Sequence, residues 1–235
     1  MRKDLEVYDI IQKKEYARDQ PNLKKKVINR IQGFIRNKKP IELVGFWGVG
    51  PKDKYNWADI ASCEFLEKLN IEVKKIYNLG IEFLFIFATQ HGIHNGIEKK
   101  TINSYTKNME KLFKKFKFRY INLESLWKKY DISFEKIDKI FKNKSVGWWK
   151  NIDNHLAIEK NAENRNLIFS PRESAQKYYI MRDLEKNMLE KEFHKSIFHA
   201  FVDSRLKCVL PNMPILYFYS RKGWSDAPWF VTKEK

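Results

Sequence analysis

The sequence predicts an α/β fold: a Rossmann-like, mainly parallel sheet flanked by helices, with a helical pair at its N-terminus. Two observations predict it. Residues 41–121 alternate strand, helix, strand, helix, strand, and short right-handed connections turn such a series into neighbouring parallel strands. The run Ile81 to Ala88 is also apolar almost throughout instead of alternating, as a strand covered on both faces must be.

In chain order, Leu5, Tyr8, Ile11 and Tyr16 fall near helical spacing within residues 4–17. After Gln20-Pro21, a second helix sets Leu23, Val27, Ile31, Phe34 and Ile35 on one face. Ile41 to Trp47 reads as a buried strand, followed by glycines at 48 and 50 and by Pro51. A helix over about 57–69 and Leu79-Gly80 lead to the strand at 81–88. A Lys-rich helix over about 99–115 then leads to a strand at 116–121. Residues 124–162 read as helical, with Leu126, Trp127, Phe134, Ile137, Ile140 and Phe141 as packing positions. Ser170-Pro171-Arg172-Glu173 combines a Ser N-cap, Pro at the first helical position and Glu at the third, so a long helix should run from Pro171 to about Phe193. Strands at 197–202 and 213–219 complete the sheet. The 235 residues are read as a single α/β domain, 1–40 being a helical extension and 41–235 a catalytic core.

Composition narrows the function. At 43% hydrophobic and 15% aromatic, the chain has the means to bury a core, which excludes a disordered or low-complexity protein. A net charge of +17 points to an anionic partner: nucleic acid, a membrane surface or a phosphorylated small molecule. Two cysteines, Cys63 and Cys208, are too few for a disulfide framework, and the first residues carry no apolar leader, so a reduced, cytoplasmic setting is expected. The densest apolar run, Phe83 to Ala88, is far shorter than the ~18 residues of a membrane span.

In an open α/β sheet ligands bind beyond the carboxyl ends of the strands, so the segments just after each strand are informative. The first, Gly45 to Lys54, departs from a nucleotide-binding P-loop: Pro51 separates Gly50 from Lys52, and Asp53 replaces the hydroxyl residue. A glycine-rich anion-binding loop using Gly48, Gly50 and Lys52 is the reading favoured over a turn with solvated lysines. His91 and His94 follow the second strand without an evident third ligand, so no metal is expected. One of them suits acid–base work or a hydrogen bond to substrate. On the helix after Pro171, Lys177 is followed by Tyr178, Arg182 and Glu185 on one stripe, which reads as an ion pair beside a packed Tyr or as a substrate-facing site. Ser220 to Trp229 is a basic, aromatic loop in which Trp224 and Trp229 could line a planar substrate or cap the core.

The order of landmarks resembles the isocyanide (isonitrile) synthase family, which includes the pyoverdine and dityrosine biosynthesis proteins. The likeness covers roughly residues 41–230. It rests on the Gly-rich Lys52 loop, the helix from Trp57 through Asp59 and Glu64 to Leu69, and Ile76-Tyr77-Asn78-Leu79-Gly80 before an apolar strand. Tyr178-Tyr179-Ile180-Met181-Arg182, Lys207 and a closing Ala227-Pro228-Trp229-Phe230 extend it. Ala227 and Phe230 stand where the family's closing motif has Thr and His, and Glu64 sits one place off the family's Asp-to-Glu spacing. The resemblance implies a biosynthetic enzyme that joins an amino acid to ribulose 5-phosphate without a metal or bound organic cofactor. Lys52 and Arg221 would hold phosphate or carboxylate, with Gly48, Gly50, His94, Tyr178, Arg182 and Lys207 as further substrate contacts. His91 or Glu185 would move protons around a Schiff base, and Trp224 or Trp229 would shape the amino-acid pocket. Two competing expectations remain. A cyclodipeptide-synthase-like enzyme would use aminoacyl-tRNA, and a nucleic-acid-binding module would use the lysines as a phosphate track. No membrane partner is expected.

Overall fold

The computed structural model describes residues 2–12, 21–145, 147–148, 169–201 and 213–218. Its elements are α1 (Lys3–Gln12), α2 (Pro21–Arg36), β1 (Ile41–Trp47), α3 (Trp57–Lys74), β2 (Ile81–Phe87), α4 (Thr89–His94), α5 (Lys99–Phe116), β3 (Arg119–Asn122), α6 (Leu123–Lys129), α7 (Phe134–Lys142), α8 (Pro171–Glu192), β4 (Ile197–Phe201) and β5 (Ile215–Phe218). The strands form one sheet in the order β3-β2-β1-β4-β5. Each adjacent pair is parallel, from Ile41 opposite Ile81 to Phe198 opposite Ile215. The expected α/β fold with its parallel β1, β2 and β3 is therefore the observed one.

Strand parity divides the core. Leu43, Trp47, Phe83, Phe85 and Phe87 face α1, α2, α3 and α5, where they meet Val7, Ile31, Leu66, Met109 and Phe113. Val44, Leu84 and Ile86 point the other way, onto Leu126, Trp127, Ile137, Met181 and Leu189. Both faces are thus covered, the physical reason for the missing alternation in β2. Aromatic rings dominate the first layer: Phe85 lies 4.9 Å from Phe113, and Trp47 meets both edge-on at 5.0 Å. At the amino end of the sheet, Arg119 pairs with Glu82 at 3.1 Å and Glu42 at 3.4 Å, and Ser196 donates to Glu42, so three strands and the residue just before β4 share one polar clasp.

Several boundaries differ from the sequence reading for local reasons. The helix ending at Phe116 closes through Lys117 at φ 58°, so β3 starts at Arg119 and not at 116. The segment read as one helix from 124 breaks into α6 and α7 at Asp131, whose φ is 51°. Residues 149–162 of that expected helix lie outside the described residues. The loop expected after β2 begins as the short helix α4.

β4 carries an unusual core side chain. His199 is fully buried opposite Gly45, with the edges of Phe83 and Phe85 against it, and burial pushes its pKa down to about 3. It is a neutral imidazole at any physiological pH. Gly45 leaves the space it occupies: a Cβ there would lie 2.5 Å from Cε1 and Nε2 of His199. Gly45→Ala is therefore expected to lower unfolding stability by about 1–3 kcal/mol, the cost of overpacking a tight core, measured by urea titration. An unchanged midpoint would contradict this packing.

Candidate functional site

Because β1 leads outward to β2 and β3 on one side while β4 and β5 lie on the other, the strand order reverses between β1 and β4. The crevice beyond the carboxyl ends of those strands is where such a sheet binds ligands. Two polar networks flank it, one on each face of the sheet.

The first network joins α4, α6 and α8. The carboxylate of Glu185 is wholly buried. It accepts from Arg182 Nη1 at 2.6 Å, from the Trp127 indole N–H at 2.9 Å and from His91 Nε2 at 2.9 and 3.0 Å. A carboxylate can only accept, so the proton of His91 facing it sits on Nε2, which leaves Nδ1 for other chemistry. Burial raises the pKa of Glu185. The charges of His91 and Arg182, with the hydrogen bonds from His91 and Trp127, outweigh that effect and hold it below the ordinary carboxylate value. Arg182 also stacks its guanidinium 4.9 Å above Phe46, and the same ring lies 5.4 Å from His91. Tyr178 meets His91 edge-on at 5.5 Å. Glu185 is sealed, whereas the His91 side chain keeps 12% of its surface exposed. Of this buried pair, His91 is thus the partner that solvent can reach.

The second network lies under α3. Asn56 and Asp59 form a capping box at the start of that helix: the Asn56 side chain accepts from Ala58 N and Asp59 N, while Asp59 accepts from Asn56 N. Asp59 is fully buried. Its other partners are the Tyr105 hydroxyl, which donates at 2.8 Å, and the Lys52 ammonium, 2.6 Å away. Tyr105 in turn accepts from the Trp47 indole at 3.0 Å, and burial raises its pKa, so it stays a neutral phenol.

The sequence-predicted residues fall into distinct places. His91, Tyr178, Arg182 and Glu185 come together in the first network, and the ion pair expected of the stripe is present within it. His94 does not join them: its Nε2 binds the carbonyl and hydroxyl oxygens of Ser174, fastening α4 to the start of α8. Lys177 is likewise structural, buried between Asp138 and Glu173 with its ammonium 3.6 Å above Phe169. Gly48 is buried, and Gly50 has open space where a side chain would be. The Lys52 ammonium lies 2.6 Å from Asp59 and 4.9 Å from the ring centre of Tyr105, and its side chain keeps 23% of its surface exposed. Lys207, Arg221, Trp224 and Trp229 lie outside the described residues. Among the described residues no cluster of His, Cys, Asp and Glu could hold a metal.

Sequence reasoning passed over Asp59, Tyr105, Trp47 and Phe46 as functional residues and treated Trp127 as packing alone. The Asn56-to-Asp59 spacing was the available signal, since a capping-box acid three residues into a helix is fixed in place. Three acceptor oxygens near the strand ends, on Thr89, Gln90 and Asn122, also have no hydrogen-bond partner among the described residues.

Fold and site together define a Rossmann-like α/β protein with a buried carboxylate–histidine–arginine centre beyond the ends of its strands. No family model matches the chain, and no curated protein matches it in sequence. Solved structures do share the fold. The PvcA protein of Pseudomonas aeruginosa superposes with a TM-score of 0.61 at 13% identity, over 93% of this chain and 84% of that one. A tyrosyl-tRNA synthetase of Leishmania major, solved with tyrosinol, gives 0.53 at 13% identity over 93% of this chain and 32% of that one. No helix of the described residues is long and apolar enough to cross a membrane.

The pairing of Lys52 with Asp59 sets what replacing it should do. Lys52→Met leaves Asp59 buried without its cation, so stability should fall by about 1.5–3 kcal/mol, the range for a hydrogen bond to a charged group. Asp59→Asn in the same background should recover part of that loss. A Lys52→Met variant that melts like the parent would show that the pair contributes nothing.

Proposed function

We propose that this protein is a biosynthetic enzyme of the isonitrile-synthase type, which condenses the amine of an amino acid with the C2 carbonyl of ribulose 5-phosphate. The observation that carries the reading is the His91–Glu185 pair: an imidazole at the edge of the strand-end crevice, held in one tautomer by a sealed carboxylate. The sequence resemblance supplies the substrate class, and the fold shared with PvcA supports that distant resemblance.

Schiff-base formation needs proton movement twice. The amine nitrogen attacks the carbonyl carbon and its proton must leave. The resulting hydroxyl must then gain a proton to depart as water while the C=N bond forms. His91, through Nδ1, serves both transfers, and Glu185 keeps the ring oriented and stabilises it when charged. Glu185 itself is a positioning residue in this scheme, since it is buried away from substrate. The glycines at 48 and 50 are assigned to close approach of substrate to the backbone, and Tyr178 and Arg182, which pack around His91 and Glu185, to further substrate contacts. The acceptors of Thr89, Gln90 and Asn122 suit the amino acid's ammonium. Lys207 and Arg221 are assigned to phosphate and carboxylate, and Trp224 and Trp229 to the amino-acid side chain. With Lys52 engaged by Asp59, the phosphate falls to those other cations.

Purified protein incubated with each amino acid and ribulose 5-phosphate should yield an adduct with the combined mass of the two less one water, trapped as the secondary amine by borohydride. His91→Asn should cut the rate by about 10²–10⁴, the usual contribution of a general acid–base. A parent protein that forms no adduct with any amino acid, or a His91→Asn variant that turns over at the parent rate, would contradict the reading.

A further inference from the structure

We infer that the outer face of α5 and the loop before α3 form a docking track for single-stranded nucleic acid, an inference independent of the reaction proposed above. The helix is sharply two-sided. Ile102, Tyr105, Met109, Leu112 and Phe113 are buried, while Lys100, Asn103, Lys107, Lys111 and Lys114 recur at three- and four-residue steps on the opposite, exposed face. From Lys100 to Lys114 the stripe is about 21 Å long, enough to follow several successive phosphates.

What sets these lysines apart is their regular spacing along one helix face. Lys128, Lys129 and Lys136 each pair with an acid, whereas none of the four stripe lysines is ion-paired among the described residues. Glu110, the acid on this helix, turns aside toward Tyr120. The stripe is therefore a row of uncompensated positive charge.

Aromatic surface stands beside it. Asn108 Nδ2 donates to the Asp53 carbonyl at 3.2 Å, which fastens the loop just before Lys54-Tyr55-Asn56-Trp57 to the middle of α5. Tyr55 is 37% and Trp57 55% exposed. Exposed aromatic rings beside a lysine row are what single strands use, since bases stack on the rings while phosphates follow the cations. A bilayer surface fits less well, because the exposed stripe residues of α5 include no apolar side chain to enter the lipid. Polarity gives the track a destination. Lys100 lies at the carboxyl end of the sheet, just after α4, and Lys114 lies near the opposite end, where β3 begins. A strand lying along α5 would reach the same edge of the molecule as the His91 centre.

The test is fluorescence anisotropy of the full chain with a labelled oligouridylate about 12 nucleotides long, from about 50 to about 200 mM salt. The parent should bind, with log K falling linearly against log salt. Replacing Lys100, Lys107, Lys111 and Lys114 together with Gln should weaken binding tenfold or more at the lower salt and reduce the slope by about 3, at ~0.7 for each phosphate no longer neutralised. Trp57→Ala should weaken it about five- to hundredfold, with the slope unchanged. The comparison variant replaces Lys25, Lys38, Lys139 and Lys142 with Gln, removing the same charge from other exposed positions, and should bind like the parent. The inference is overturned if that variant loses as much as the stripe variant. It is also overturned if the parent fails to bind the oligonucleotide, or if it binds phosphatidylserine vesicles while ignoring RNA. Circular dichroism of each variant separates weakened binding from a damaged fold.

Discussion

A carboxylate with no contact to water holds one face of this molecule together. Glu185 lies two-thirds of the way along α8, and its partners come from α4, α6 and its own helix. Burying an ion costs several kcal/mol unless its lone pairs are filled and its charge is matched. Here Trp127 and His91 meet one oxygen, and Arg182 and His91 meet the other. The consequence is positional: α8 cannot slide or rotate against the ends of β2 and β3 without exposing an unmatched charge. His91 receives its tautomer, and Arg182 its place over Phe46, from the same constraint.

The sheet makes such a centre possible by keeping the two faces separate. Odd positions of β1 and β2 build the aromatic layer with Phe113, and even positions build the layer with Trp127 and Met181. Each layer ends in its own polar network at the carboxyl edge, Asp59 with Lys52 and Tyr105 on one side and Glu185 with His91 on the other. Both carboxylates accept an indole or phenol donor from the core below, Trp127 in one case and Tyr105 in the other. Close packing and charge placement are thus the same construction: rings that fill the core also carry the donors that hold the ions at its rim.

The parallel sheet was legible because its signals are local. Apolar runs, the Gly80 turn at φ +62° and the Ser170 cap each depend on a few adjacent residues. His91 and Glu185 both stand out in the sequence, one for its place after a strand and the other for its helical stripe. Their contact spans 94 positions, and no spacing rule encodes that distance. The ion pair of Lys52 was not legible for a related reason: a lysine beside three glycines resembles an anion loop, and the acid that pairs with it lies seven residues on, inside the next helix. The break between α6 and α7 was missed because Asp131 adopts a left-handed conformation without a glycine to announce it.

All of this requires that Glu185 be ionised in the folded protein and contribute stability through its matched charges. Its folded-state pKa lies below the ordinary 4.5, so this contribution is complete above about pH 5 and is lost as the pH falls toward the folded value. The decisive comparison is the stability of the parent against that of Glu185→Gln, by urea titration across that range. A gap of about 3–5 kcal/mol is expected near neutrality, the cost of breaking a buried ion pair, and it should narrow steadily as the solution is acidified. A gap that is small at neutral pH, or that stays constant down to the acid limit, would mean that the carboxyl is neutral and that the centre is not held by charge.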